Sequence, residues 1–317
     1  MQYYTETPEM KETRKGFADS LEHIGGENPN VVVLGGDVTG SVRTNQFRDA
    51  YPDRFFSVGI AEQDMMGTAA GLALAGKIPI ASTYGEFATG RPFDQIRQSI
   101  AYSEMNVKIC ASHAGITVGY DGATHQSFED VAIMRVLPNM TVLTPCDYNE
   151  TYNALKAAVD FVGPCYVRFY RENSPNFTDI NEPFEIGKMK TMVEGNDLTL
   201  MASGLIVWNA IVAAHNLAKE GINVRVVNAS TIKPIDKEMI LKCADETGMI
   251  ITCEDHQWTC GLYGAVAEVL AKERPTPMDW IAINDTFGES GAGDQLMVKY
   301  NLDHTAIERK VKEYVKK

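Results

Sequence analysis

Five short runs in the first half of the chain constrain its fold most: residues 31–34 (VVVL), 78–82 (IPIAS), 106–112 (NVKICAS), 140–144 (MTVLT) and 165–170 (CYVRFY). A strand with one wet face alternates apolar and polar residues. These runs barely alternate, as strands of a parallel sheet covered on both faces do. Segments of helical pattern lie around and between them, at 8–24, 44–50, 62–75, 128–136 and 148–161. Such alternation predicts a doubly wound α/β domain.

Residues 173–196 are polar and proline-bearing and read as a linker with room for a hairpin. The pattern then resumes, with strands at 198–202, 223–228, 249–253 and 280–284 and helices at 205–218, 237–245, 261–272 and from 303. The expectation is two α/β domains, 1–180 and a smaller 197–317, joined by 181–196. The length of 317 residues suits two domains at roughly 150 residues each.

A formal charge of −13 argues against a nucleic-acid surface and against binding to anionic membranes. No apolar run approaches the ~18 residues of a membrane span. The opening stretch MQYYTETPEMKETRKG lacks a signal-peptide core, so a cytoplasmic location is expected. The six cysteines are dispersed, without metal-type CxxC pairs, and read as free, mostly buried thiols.

Residues 55–72, FFSVGIAEQDMMGTAAGL, carry the first chemical signal. An apolar run turns directly into a helix that opens with Glu62. Acids favour helix starts for electrostatic reasons alone. Here the helix is rich in Ala, Gly and Met, which implies close packing on several sides. A carboxyl desolvated in such surroundings holds its proton more tightly, which suits a group that must keep or pass one.

Two loops follow predicted strands, where α/β proteins place ligands. The first, GGDVTGS at 35–41, holds Asp37 and Ser41. The second, HAGITVGYDGATHQSFED at 113–130, holds His113, Asp121 and His125. A polar loop this long between buried strands is usually functional. Its histidines lack metal-ligand spacing. Tyr84, Phe87 and Phe93 sit where strand gives way to helix, a place where aromatics are more often core than ligand platform.

GIAEQ at 59–63, RPFDQIRQ at 91–98 and DGATHQ at 121–126 together resemble the C-terminal part of transketolases. The likeness runs along nearly the whole chain, as a pyrimidine-binding domain followed by a C-terminal domain. It extends less well to 1-deoxyxylulose-5-phosphate synthases and to the β subunits of 2-oxoacid dehydrogenases. The resemblance implies thiamine diphosphate as cofactor. It implies that Glu62 hydrogen-bonds the ring nitrogen of the aminopyrimidine, so that the exocyclic nitrogen can take the proton from thiazolium C2. It places Phe87, with Tyr84 beside it, as the stacking aromatic, and Ile60 against the cofactor. It assigns His113, Asp121 and His125 to sugar hydroxyls or phosphate, and His125 a catalytic part as well. Arg14, Ser41 and Arg171 match positions for the substrate's terminal phosphate, and Asp37 faces the same cleft.

The family's Gly-Asp-Gly mark for diphosphate and metal does not occur in this sequence. The expectation is therefore a split enzyme. A partner subunit of the N-terminal type would carry that motif and Mg2+ (or Ca2+ or Mn2+), and the active site would lie between chains in an α2β2 assembly acting on sugar phosphates. A deoxyxylulose-phosphate-type or oxoacid-dehydrogenase-type subunit, and a non-catalytic regulatory subunit, are the alternatives.

Overall fold

The computed structural model describes residues 3–315. The first sheet has seven strands: β2 (Val31–Gly35), β3 (Phe55–Ser57), β4 (Ile78–Tyr84), β5 (Lys108–Ser112), β6 (Thr141–Leu143), β7 (Cys165–Arg168) and β12 (Thr231–Lys233). Their spatial order is β12-β6-β7-β5-β4-β2-β3. Every pair is parallel except β12 with β6.

Alternate side chains of the strands point into two different cores, which is why the sequence runs do not alternate. Val31, Val33, Ile80, Cys110, Leu143 and Val167 pack with Phe17, Phe47 and Leu155 on one face. Leu34, Ala81, Ile109, Val142 and Tyr166 pack with Met65 and Met66 on the other. The helix Glu62–Leu74 buries Met65, Met66, Ala69 and Ala70, as its small and soft composition predicts.

The second sheet has five strands: β9 (Lys190–Val193), β10 (Thr199–Ala202), β11 (Arg225–Asn228), β13 (Ile250–Gln257) and β14 (Met278–Ile283). Their order is β14-β13-β10-β11-β9, and only β9 runs antiparallel. The helices Ile206–Lys219 and His304–Tyr314 pack together on it around Ile211, Leu217, Ile307 and Val311.

Several expectations need correction. The helix expected over 8–24 begins at Thr13 and continues to Glu27. Residues Glu9–Glu12 instead form β1, paired antiparallel with β8 (Asn173–Asn176). A long-range partner overrides the local helical pattern there. The polar segment holds no hairpin, because β8 and β9 join different sheets. β9 lies inside the expected linker, and β12 returns from the second half of the chain to the edge of the first sheet. Five cysteines are buried and free, while Cys260 is exposed.

Candidate active site

The predicted site residues gather at one edge of the first sheet, beyond the C-terminal ends of β2, β3, β4, β5 and β7. Glu62 is the first residue of its helix and is 4 % exposed. Its Oε1 accepts a hydrogen bond of 2.8 Å from Arg91 Nη1. The Arg91 guanidinium also lies over the Phe87 ring, 3.8 Å from its centroid. Sequence reasoning missed Arg91 as the counter-ion of Glu62, although it opens the RPFDQIRQ motif.

An aromatic chain leads inward from Phe87. Its ring stacks with Tyr84 at 5.5 Å and meets His125 edge-on at 5.2 Å. Tyr84 in turn stacks on His113 at 3.9 Å. His113 is buried, adopts a left-handed backbone (φ 59°) and shares a hydrogen bond of 2.9 Å with Ser112 Oγ through Nδ1. Burial pushes its pKa down to about 3, and the nearby charges of Arg14, Arg171 and His125 add to the effect. The imidazole is therefore neutral at physiological pH, with one nitrogen able to accept a proton and the other to donate.

The third group is cationic. Arg14 binds Glu12 through Nε and Nη2 at 3.1 and 3.0 Å and donates through Nη1 to the Ser41 carbonyl at 2.9 Å. Arg43 binds the same Glu12 oxygen at 3.1 and 2.7 Å. Burial opposes ionisation of Glu12, but the two guanidiniums outweigh it and hold the carboxyl below its usual range. Arg171 pairs with Asp121 at 3.1 Å. Glu12 and Arg43 also escaped the sequence reading, since nothing local marks an ion pair that spans 31 residues.

The structure thus joins Glu62, Phe87, Tyr84, His113 and His125 in one continuous cluster, with Arg14, Ser41, Arg171 and Asp121 beside it. Asp37 and Ile60 stand at the exposed rim, Asp37 with a left-handed backbone of φ 63° and Ile60 72 % exposed. Among the described residues no group of three His, Cys, Asp or Glu side chains could hold a metal ion. No helix among them is long and apolar enough to cross a membrane.

The site sets a buried carboxylate at a helix start beside stacked aromatic rings, with a neutral imidazole and several guanidinium groups nearby. The model of the transketolase pyrimidine-binding domain matches residues 9–176, and that of the transketolase C-terminal domain matches residues 187–307. A putative transketolase C-terminal section from Methanocaldococcus jannaschii is 46% identical over 310 residues, covering 97% of each chain. A 6-deoxy-6-sulfo-D-fructose transketolase subunit from Clostridium sp. (strain MSTE9) is 37% identical, over 95% of this chain and 93% of its own. A solved split gene transketolase, described as an inactive β4 tetramer, superposes with a TM-score of 0.88 at 42% identity, over 96% of this chain and 97% of its own. With both halves matched and these relatives covered nearly end to end, the chain belongs to the transketolase family of thiamine diphosphate-dependent enzymes.

Proposed function

We propose that the chain is the C-terminal subunit of a split transketolase. It would transfer a two-carbon ketol unit from a ketose phosphate to an aldose phosphate, and act only with a partner that holds the diphosphate and its metal. The observation that carries this reading is the link from Glu62, in GIAEQ, to the 113–126 loop that ends in DGATHQ, through Arg91 over Phe87 and the Phe87–His125 and Tyr84–His113 ring contacts.

Glu62, Phe87 and Ile60 would hold the aminopyrimidine end of thiamine diphosphate, which supplies, when bound, the carbon nucleophile for the ketose carbonyl. Glu62 holds a proton against the ring nitrogen. Arg91, which now neutralises that carboxylate, must release or share it as the ring arrives, and exposure of the Arg91 side chain (45%) leaves it room to swing away. Phe87 is better placed than Tyr84 as the stacking platform, because Tyr84 is already engaged by His113. Neutral His113, together with His125, exchanges hydrogen bonds and protons with the sugar hydroxyls. Arg14, Ser41 and Arg171 receive the terminal phosphate, with Asp121 holding Arg171 in place and Asp37 at the cleft mouth.

The test is reconstitution. This chain is mixed with a subunit carrying the Gly-Asp-Gly motif, in thiamine diphosphate and Mg2+, and supplied with a panel of donors: xylulose 5-phosphate, a 6-sulfo-ketose and pyruvate. Ketol transfer that requires both chains is the expected result. The sulfo-ketose belongs in the panel because a relative of similar length is named for such a substrate. Turnover of pyruvate alone would move the assignment to a deoxyxylulose-phosphate-type or oxoacid-dehydrogenase-type enzyme. Cofactor binding by the partner that this chain leaves unchanged would point to a regulatory subunit.

A further inference from the structure

We propose that the C-terminal half clasps the 113–126 loop and sets its geometry, with Gln126, Asp255 and Ser290 as positioning residues. This rests on the reading that His113, Asp121 and His125 face the sugar.

The loop is costly to hold in one shape. His113, Gly115, Gly119 and Gly122 all have positive φ, at 59°, 71°, 78° and 76°. The three glycines adopt such angles without strain but lose the most conformational freedom when fixed, and His113 is strained there as well, so one shape needs support from its surroundings. Two side chains of the other half of the chain hold the loop, and Gln126, within it, ties it to the same half, at three points in all.

At the first, buried Asp255, in β13, accepts the Ile116 N–H on both oxygens at 3.0 and 3.1 Å. The approach is so close that a Cβ at Gly115 would lie 1.8 Å from Asp255 Oδ2. At the second, Gln126, 3 % exposed, donates through Nε2 to the carbonyls of Ile116 and Gly119 in the loop, at 3.2 and 3.3 Å, and to that of Glu289 at 3.0 Å. A Cβ at Gly288 would come within 2.0 Å of Gln126 Oε1, so glycine leaves the amide its space. At the third, Ser290 Oγ donates to the Tyr120 carbonyl at 2.7 Å, one residue before Asp121.

None of these groups belongs to the substrate-facing set. Each fixes the backbone from which His113, Asp121 and His125 project, and Ser290 does so one residue from Asp121, the partner of Arg171.

The experiment has two arms. In the chain by itself, hydrogen exchange is followed for the amides of 116–125 in wild type, Ser290→Ala and Gln126→Glu. Ser290 is exposed, so its replacement leaves the fold intact. In the reconstituted complex, KM, kcat and cofactor half-saturation are measured for the same proteins. The clasp predicts exchange faster by roughly 10-fold in Ser290→Ala. It also predicts a KM for the ketose phosphate raised about 3- to 10-fold with kcat and cofactor half-saturation unchanged. In Gln126→Glu the KM climbs with pH, because an ionised carboxylate has no proton for the three carbonyls.

Unaltered exchange in Ser290→Ala, or faster exchange with an unchanged KM, overturns the proposal. Parallel loss of kcat and cofactor affinity would mark general damage and overturns it as well. A wild-type complex without ketol transfer would defeat the functional assignment instead, and the exchange arm would then judge the clasp alone.

Discussion

Glu62 is buried at the start of its helix and accepts a hydrogen bond of 2.8 Å from Arg91. Glu62→Gln keeps the shape and removes the exchangeable proton. In the reconstituted enzyme it is expected to lower kcat by at least about 100-fold while the chain still folds. Circular dichroism and initial rates together check this, and near-normal turnover would remove Glu62 from the mechanism.

His113 gives a pH prediction. Its pKa in the fold is near 3, against the 6.5 of a free imidazole, so the unfolded chain takes up a proton that the folded chain refuses. Its contribution to stability is fully present above 6.5 and is lost as pH falls from there towards 3. Imidazole resonances should show His113 untitrated at pH 5, and a midpoint near 6.5 would contradict the buried geometry.

At this scale the sequence showed what motifs compress into a few residues, such as Glu62, Asp121 and His125. It hid Arg91, Glu12 and Arg43, whose roles exist only once residues 29 or 31 positions apart are brought together.

Among the elements, the strands buried on both faces were legible because no polar face interrupts them. The strands that escaped, β1, β8, β9 and β12, are short and lie at edges, and pairing rather than composition defines them. The start of the first helix was misplaced for the same reason, since β8 claims residues 9–12.

That helix, Thr13–Glu27, packs tightly on the helix Tyr148–Asp160 at Gly16, where a Cβ would sit 2.4 Å from the Tyr148 carbonyl oxygen. Gly16→Ala should force the helices apart and cost about 1–3 kcal/mol, despite the better helix propensity of alanine. Urea denaturation measures this directly. A stabilised variant would mean that the pair relaxes without penalty, and Arg14, two residues earlier, gives a second readout through weaker phosphate binding.

The two halves share an apolar core, in which Met134, Val142 and Tyr166 cluster with Met201, Val227 and Ile250, and buried polar groups join them as well. Arg168, 2 % exposed in β7, donates to Asp130 at 2.8 Å, to the Tyr170 hydroxyl at 2.6 Å and to the Asp255 carbonyl of the second sheet at 2.7 Å. Removing Arg168 leaves buried Asp130 without its ion-pair partner, a loss of about 3–5 kcal/mol. Arg168→Leu should therefore split a single calorimetric transition into two, as the halves lose their common anchor. A single transition, merely shifted, would show that apolar contacts alone couple them. The division into two α/β halves was visible in the sequence. Their mutual dependence was not, because Arg168 and Asp255 look like ordinary strand charges and Asp130 like an ordinary helix-start acid until they are seen together.

The return of β12 to the edge of the first sheet has a practical consequence for shortened versions of the chain. A fragment ending in the polar stretch around residue 186 would retain every parallel strand of the first sheet, yet it would strip the cover from β6. The bared backbone of Thr141–Leu143 would offer its free hydrogen-bonding groups to any other chain. Such a fragment is expected to aggregate in light scattering. A fragment in which residues 231–233 are tethered back by a short linker should stay dispersed, with those three residues acting as a seal that the front half cannot make for itself.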